Sequence, residues 1–195
     1  LLCENLNLNV HNVLNAAATK PFGFTKFNPG PGVGGHCIPI DPYYLSYISK
    51  LNGFTSKFIK ISADINESMP KTISKKISYF SKRNKCKSCL LIGISYKKNI
   101  DDLRESPSLE IFNLIYSKFK KIDYHDNYFK KLITTRKNKI IKRSIDLNVK
   151  NLKKYDLIIL ATDHDYINYK KIFLNSNKII DLRNKFPENE KVFKI

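Results

Sequence analysis

Hydrophobic residues fall into two regimes along this chain. Over the first 84 residues they recur at helical spacing between broken stretches. Leu6, Val10, Val13, Leu14 and Ala17 follow a 3.6-residue period and predict a helix over residues 1–18. Residues 41–51 read as a second helix, stopped by Asn52-Gly53. Ile65, Met69, Ile73, Ile77 and Phe80 place a third over 61–83, in which Pro70 either kinks one long helix or starts another. From Cys86 the pattern changes. Apolar runs at 88–94, 155–161 and 178–182, with weaker ones at 122–125 and 140–145, alternate with helical stretches over 106–119 and 166–173. That rhythm predicts the α/β class: a helical segment over 1–84 followed by a Rossmann-like parallel-sheet domain over 85–195. Ligands bind such sheets beyond the C-terminal strand ends, which is where Tyr96-Lys97, Asp163-His164 and Arg183 fall.

Composition narrows the class. A chain of 195 residues, 42% hydrophobic, can bury a real core. It has no apolar run of membrane-spanning length and no charged-then-apolar leader pattern, so no membrane partner is expected. Four cysteines without secretory features suggest reduced thiols in a cytoplasm. The formal net charge of +18 invites a nucleic-acid reading. Five arginines against 30 lysines, scattered among asparagines and isoleucines, look instead like a compositional bias, so no nucleic-acid partner is expected. Cys86-Lys87-Ser88-Cys89 lacks a second pair at zinc-ligand spacing and precedes a strand, unlike a redox motif; structural thiols and no metal are expected.

The stretch from Asn28 to Tyr44 gathers the chemistry. Gly30, Gly32, Gly34 and Gly35 fall within six residues, and glycine lets backbone N–H groups come close to a ligand. The spacing fits G-x-G-x-x-G, but Lys20 to Phe27, broken by Pro21 and Gly23, is no strand to precede a dinucleotide loop. Cys37 follows directly, beside glycines and a helix start that stabilise a thiolate; a buried thiol is the plainer reading, and nucleophile the favoured one. Asp41 before Pro42 is equally a helix N-cap and a catalytic carboxylate.

Gly32 to Pro42 resembles the catalytic-cysteine segment of the nucleotide-sugar dehydrogenases of the UDP-glucose/GDP-mannose dehydrogenase family. Ala16 to Phe24, Tyr96 to Pro107 and Leu160 to Asp165 resemble further segments of that family, in the family's order. The resemblance implies a C-terminal portion of such an enzyme, with an NAD-binding domain expected upstream. It implies two successive oxidations at C6 of a UDP-sugar, with NAD as cofactor, in polysaccharide biosynthesis. UDP-N-acetylglucosamine is the expected sugar; UDP-N-acetylmannosamine or another UDP-hexose is the alternative, as is a non-catalytic UDP-sugar-binding remnant. Cys37 would form a thiohemiacetal and then a thioester, assisted by Asp41. Gly30, Gly32, Gly34, Tyr96, Lys97 and Arg183 would contact the nucleotide-sugar, and Arg104 the cofactor. A homodimer through the central helical segment is expected. His164, between Asp163 and Asp165, suggests a base or ligand, but the resemblance gives it no catalytic part.

Overall fold

The computed structural model describes residues 1–195 and separates them into two compact units, Leu1–Gly30 and Pro31–Ile195. In the first unit the expected single helix is two, α1 (Leu2–Asn5) and α2 (Val10–Ala17). Asn7 takes a left-handed φ of 54°, and the Asn9 side chain accepts the His11 and Asn12 N–H groups, so the chain stops and restarts. Local hydrogen bonding here overrides an apolar period that continues straight through the break.

The second unit opens with the Cys37 loop, then α3 (Asp41–Leu51) and α4 (Lys57–Arg83). Pro70 lies inside α4, which remains one helix of 27 residues. All its buried residues lie from Pro70 onward: Pro70, Ile73, Ser74, Ile77 and Ser81. The second half of α4 therefore docks on the sheet, while Phe58, Ile61 and Ile65 of the first half stay exposed.

Five parallel strands form the sheet: β1 (Ser88–Ile92), β2 (Lys121–His125), β5 (Leu157–Leu160), β6 (Ile179–Asp181) and β7 (Val192–Lys194). They run in the order β2-β1-β5-β6-β7. Period-two alternation divides each central strand between two cores. Cys89, Leu91, Leu157 and Ile159 face α4 and α5 (Pro107–Ile115), while Leu90, Ile92, Ile158 and Leu160 face α6 (Val149–Leu152) and α7 (Tyr169–Asn175). Burial on both faces explains why these strands read as unbroken apolar runs. The run expected at 140–145 contributes only β4 (Lys142–Arg143), paired antiparallel with β3 (Lys131–Leu132) outside the main sheet. Helix α5 stops at Ile115 and a 3-10 turn follows, short of the expected Phe119. β7 and α6 were not legible, being short and, for β7, only half-buried.

Gly93 ends β1 with φ 81°, and a Cβ there would lie 2.3 Å from the Thr162 carbonyl oxygen. That contact joins the ends of β1 and β5 and leaves no room for a side chain. Gly93→Ala should lose about 3 kcal/mol, from left-handed strain plus overpacking, read as a lower urea midpoint. An unchanged midpoint would show that the two strand ends can part without cost.

Candidate functional site

β1 pairs with β2 on one side and β5 on the other, so the loops leaving β1 and β5 diverge to opposite faces. Such a switch point opens a crevice beyond the strand ends. The loop after β1, residues 93–106, carries Tyr96, Lys97 and Arg104; the segment after β5 carries Asp163 and His164, and Arg183 follows β6. Topology alone thus gathers these predicted residues at the C-terminal end of the sheet.

The Cys37 loop is fastened to the same end of the sheet. The Gly35 N–H donates to the Arg104 carbonyl at 2.9 Å. A Cβ on Gly34 would lie 2.5 Å from Tyr96 Cβ and 2.9 Å from the Glu105 carbonyl oxygen, and one on Gly35 would lie 2.9 Å from the Tyr96 ring. Gly32, at φ 144°, packs on Pro107, 3.1 Å from where its Cβ would be. Glycine is required at 34, where Tyr96 and the Glu105 carbonyl fill the side-chain space, and at 32 and 35 by their left-handed φ of 144° and 94°. Gly30 is the last residue of the first unit and half-buried there.

Cys37 is exposed, and its carbonyl accepts the Ile40 and Asp41 N–H groups at 3.1 and 2.8 Å. Those bonds satisfy donors at the start of α3, which has no side-chain cap. Asp41 is therefore not the N-cap expected as one reading: it is the first helical residue, exposed, with Ile40 before it as cap. A cavity of about 310 Å³ lies behind the loop, between Ile38, Pro39 and Pro42 on one side and Phe58, Pro70 and Pro107 on the other. Burial raises the Glu110 carboxyl in its wall above the usual range.

The cations differ in what holds them. Arg104 is exposed and pairs with Asp102 through Nε at 3.1 and 3.0 Å and a terminal nitrogen at 2.7 Å. That hydrogen bonding raises the guanidinium above its ordinary value, and the neighbouring Tyr96 and Cys37 act in the same direction. Arg183 is mostly buried: its Nε donates to the Ala161 carbonyl at 2.7 Å and lies 3.8 Å from Asp163. Burial lowers it, against the pull of Asp163 and Asp181. Its terminal nitrogens make no hydrogen bond within the protein, nor does the Lys97 ammonium, which is exposed. Lys98, by contrast, is paired with Asp165 at 3.1 Å.

Beneath the loop lies a buried network of which the sequence pattern marks only His164. Asp126 accepts the Ile94 N–H at 2.8 Å, the Ser95 N–H at 3.2 Å and hydroxyl at 3.1 Å, and the Tyr128 N–H at 2.9 Å. His164 Nε2 lies 3.1 Å from the same carboxylate. Burial raises this carboxyl, but the His164 and backbone hydrogen bonds outweigh it and leave the pKa at about 2. Nothing in Tyr124-His125-Asp126 marks the aspartate in sequence; only the strand end after β2 places it.

The chain is similar to known proteins in sequence and in fold. Residues 90–188 match the UDP-binding domain of the UDP-glucose/GDP-mannose dehydrogenase family, and residues 1–68 match its central domain. A UDP-N-acetyl-D-mannosamine dehydrogenase of Methanocaldococcus jannaschii is 31% identical over 87% of this chain and 36% of its own length. An NDP-N-acetyl-D-galactosaminuronic acid dehydrogenase of Ralstonia solanacearum is 27% identical over 94% of this chain and 42% of its own. The solved structure of a UDP-D-ManNAc dehydrogenase from Pyrococcus horikoshii superposes with a TM-score of 0.79 at 29% identity, covering 100% of this chain and 46% of that one. The chain thus spans less than half the length of these relatives.

Two outcomes follow from the burial and charges above. Brief iodoacetamide treatment near neutral pH, read by peptide mass spectrometry, should modify exposed Cys37 first. Cys89, fully buried with its thiol pushed well up by burial, should react last, and Cys86 is raised for the same reason. Faster labelling at Cys86 would contradict the assignment. The depressed Asp126 carboxyl stabilises the fold above its unfolded value of 3.8, and that contribution of about 2 kcal/mol is lost as pH falls toward 2. Urea midpoints should fall across that window, and the fall should be shallower in Asp126→Asn.

Proposed function

The chain belongs to the UDP-glucose/GDP-mannose dehydrogenase family, and from that premise we propose that it supplies the nucleophile and UDP-sugar site of an NAD-dependent C6 dehydrogenase. The observation carrying this reading is the clamp of the exposed Cys37 loop onto the switch-point loop that bears Tyr96, Lys97 and Arg104. Lys97 and the free terminal nitrogens of Arg183 are the cations left to meet a diphosphate and uridine. The substrate is a UDP-linked N-acetylhexosamine. The mannosamine epimer, named in relatives from Methanocaldococcus and Pyrococcus, is the first to test beside N-acetylglucosamine.

The chain's own residues fit only part of the cofactor. Gly93, the one glycine after β1, has its side-chain space filled by Thr162, so this turn is no pyrophosphate cradle; Arg104 is the residue left to meet the cofactor. When bound, NAD supplies hydride acceptance. What this chain contributes is the thiolate of Cys37, which adds to the C6 aldehyde to form a C–S bond and an alkoxide. At the later thioester, water attacks the carbonyl carbon and the sulfur departs as thiolate, releasing the uronate. Asp41 lies at the start of α3, one turn beyond Cys37, with its carboxylate uncommitted, and accepts the proton from that water. Tyr96 acts less by touching sugar than by holding Gly34 and Gly35 in place.

The homodimer reading draws support from the exposed Tyr44, Leu45, Tyr47, Leu51, Phe58 and Ile61 on α3 and the first half of α4. Sedimentation giving a monomer at micromolar concentration would remove it.

Calorimetry tests the nucleotide site. The 195-residue chain should bind UDP, and Lys97→Ala should weaken binding about tenfold without changing thermal stability, because its side chain pairs with nothing in the protein. Arg183→Ala should weaken both binding and stability. The same chain should produce no NADH from either UDP-sugar; turnover abolished by Cys37→Ala would show that it holds NAD productively after all. UDP binding unaffected by both cation substitutions would move the site elsewhere.

A further inference from the structure

His164 is fully buried yet belongs to no step above, and its two ring nitrogens have different partners. Nδ1 receives the Asn99 backbone N–H at 3.0 Å, so it carries no proton; the proton sits on Nε2 and is donated to Asp126 at 3.1 Å. The ring is stacked on Tyr166 at 5.1 Å and flanked by Tyr128 at 5.2 Å, which leaves it one orientation. Asn99 itself holds a left-handed φ of 60° and exchanges hydrogen bonds with Asp165, whose N–H donates to its side chain at 3.0 Å. At the other end of the loop, Ser95 is fixed by Asp126 and by the Thr162 hydroxyl, which donates to its carbonyl at 2.7 Å. Both ends of the Tyr96–Lys98 stretch are therefore anchored, and Lys98 is neutralised by Asp165. Only Lys97 projects as a free cation.

Resting on the UDP-site reading above, we propose that His164 is a positioning residue: by receiving the Asn99 N–H it fixes the short loop that presents Lys97 to the nucleotide. The ring bridges the ends of β2 and β5 to the loop after β1, so one side chain sets the loop across the whole switch point. The Nδ1 bond to Asn99 carries the effect, and the Nε2 bond to Asp126 orients the ring.

Two substitutions separate those bonds. His164→Asn keeps an acceptor where Nδ1 lies and gives up the reach to Asp126; His164→Gln keeps a donor where Nε2 lies and gives up the acceptor. In the 195-residue chain, His164→Asn should hold UDP affinity within about threefold, while His164→Gln should lose about tenfold, the scale of one hydrogen bond. Amide hydrogen exchange of Asn99 should quicken in His164→Gln and not in His164→Asn, with Leu91 in β1 unchanged in both. A role confined to supporting Asp126 predicts the reverse order of the two variants, and that result overturns the proposal. Equal behaviour of the two in both readouts overturns it as well. Should His164→Gln fail to fold, a folded His164→Asn that loses tenfold in affinity is sufficient to reject it. A wild-type chain that binds no UDP overturns both this proposal and the reading beneath it. Binding that depends on Lys97 but is blind to His164→Gln overturns the positioning role alone.

Discussion

The Tyr96 side chain seated on the backbone of Gly34 and Gly35 is the contact on which the site depends. With the Gly35 N–H bonded to the Arg104 carbonyl, it joins a loop with no regular secondary structure to the C-terminal end of the sheet. Without it, Cys37 would be an exposed thiol on a wandering segment. With it, Cys37 is held two residues from a backbone bond to the loop after β1. No larger residue can stand at 34 or 35, since even a methyl group would meet the tyrosine or the Glu105 carbonyl at under 3 Å.

Features far from the thiol tie this end of the sheet together. Gly93 lets β1 and β5 close on each other, Asp126 gathers the N–H groups that open the following loop, and Thr162 closes the loop from β5. Polar groups are buried here at high density and nearly all are paired, which favours one arrangement over a loose ensemble. The charges are sorted accordingly. Arg104 and Lys98 are engaged with neighbouring carboxylates, whereas Lys97 and two nitrogens of Arg183 remain free for an anion.

Much of this was legible in the sequence. The switch from helical to strand periodicity at Cys86, the parallel sheet and the family resemblance all hold, because burial on both faces writes itself as apolar runs and because the Cys37 motif is dense. Less was legible where local bonding overrides periodicity, as at Asn7 and Asn9, or where strands are only two or three residues long. The glycines read as letting backbone N–H groups approach a ligand; that Gly34 and Gly35 also seat the Tyr96 side chain is a second use that spacing does not reveal. The Asp126–His164 pair is formed by residues 38 apart whose meeting depends on strand order, which no local pattern encodes.

A crystal structure of the chain with UDP tests directly whether the Cys37 loop and the loop after β1 form one nucleotide-sugar site at the switch point. The diphosphate should lie between Lys97 and Arg183, beyond the ends of β1, β5 and β6, with the open end of the ligand directed toward Cys37. UDP found instead in the cavity between α3 and α4, or along the exposed cations of β3 and β4, would contradict it.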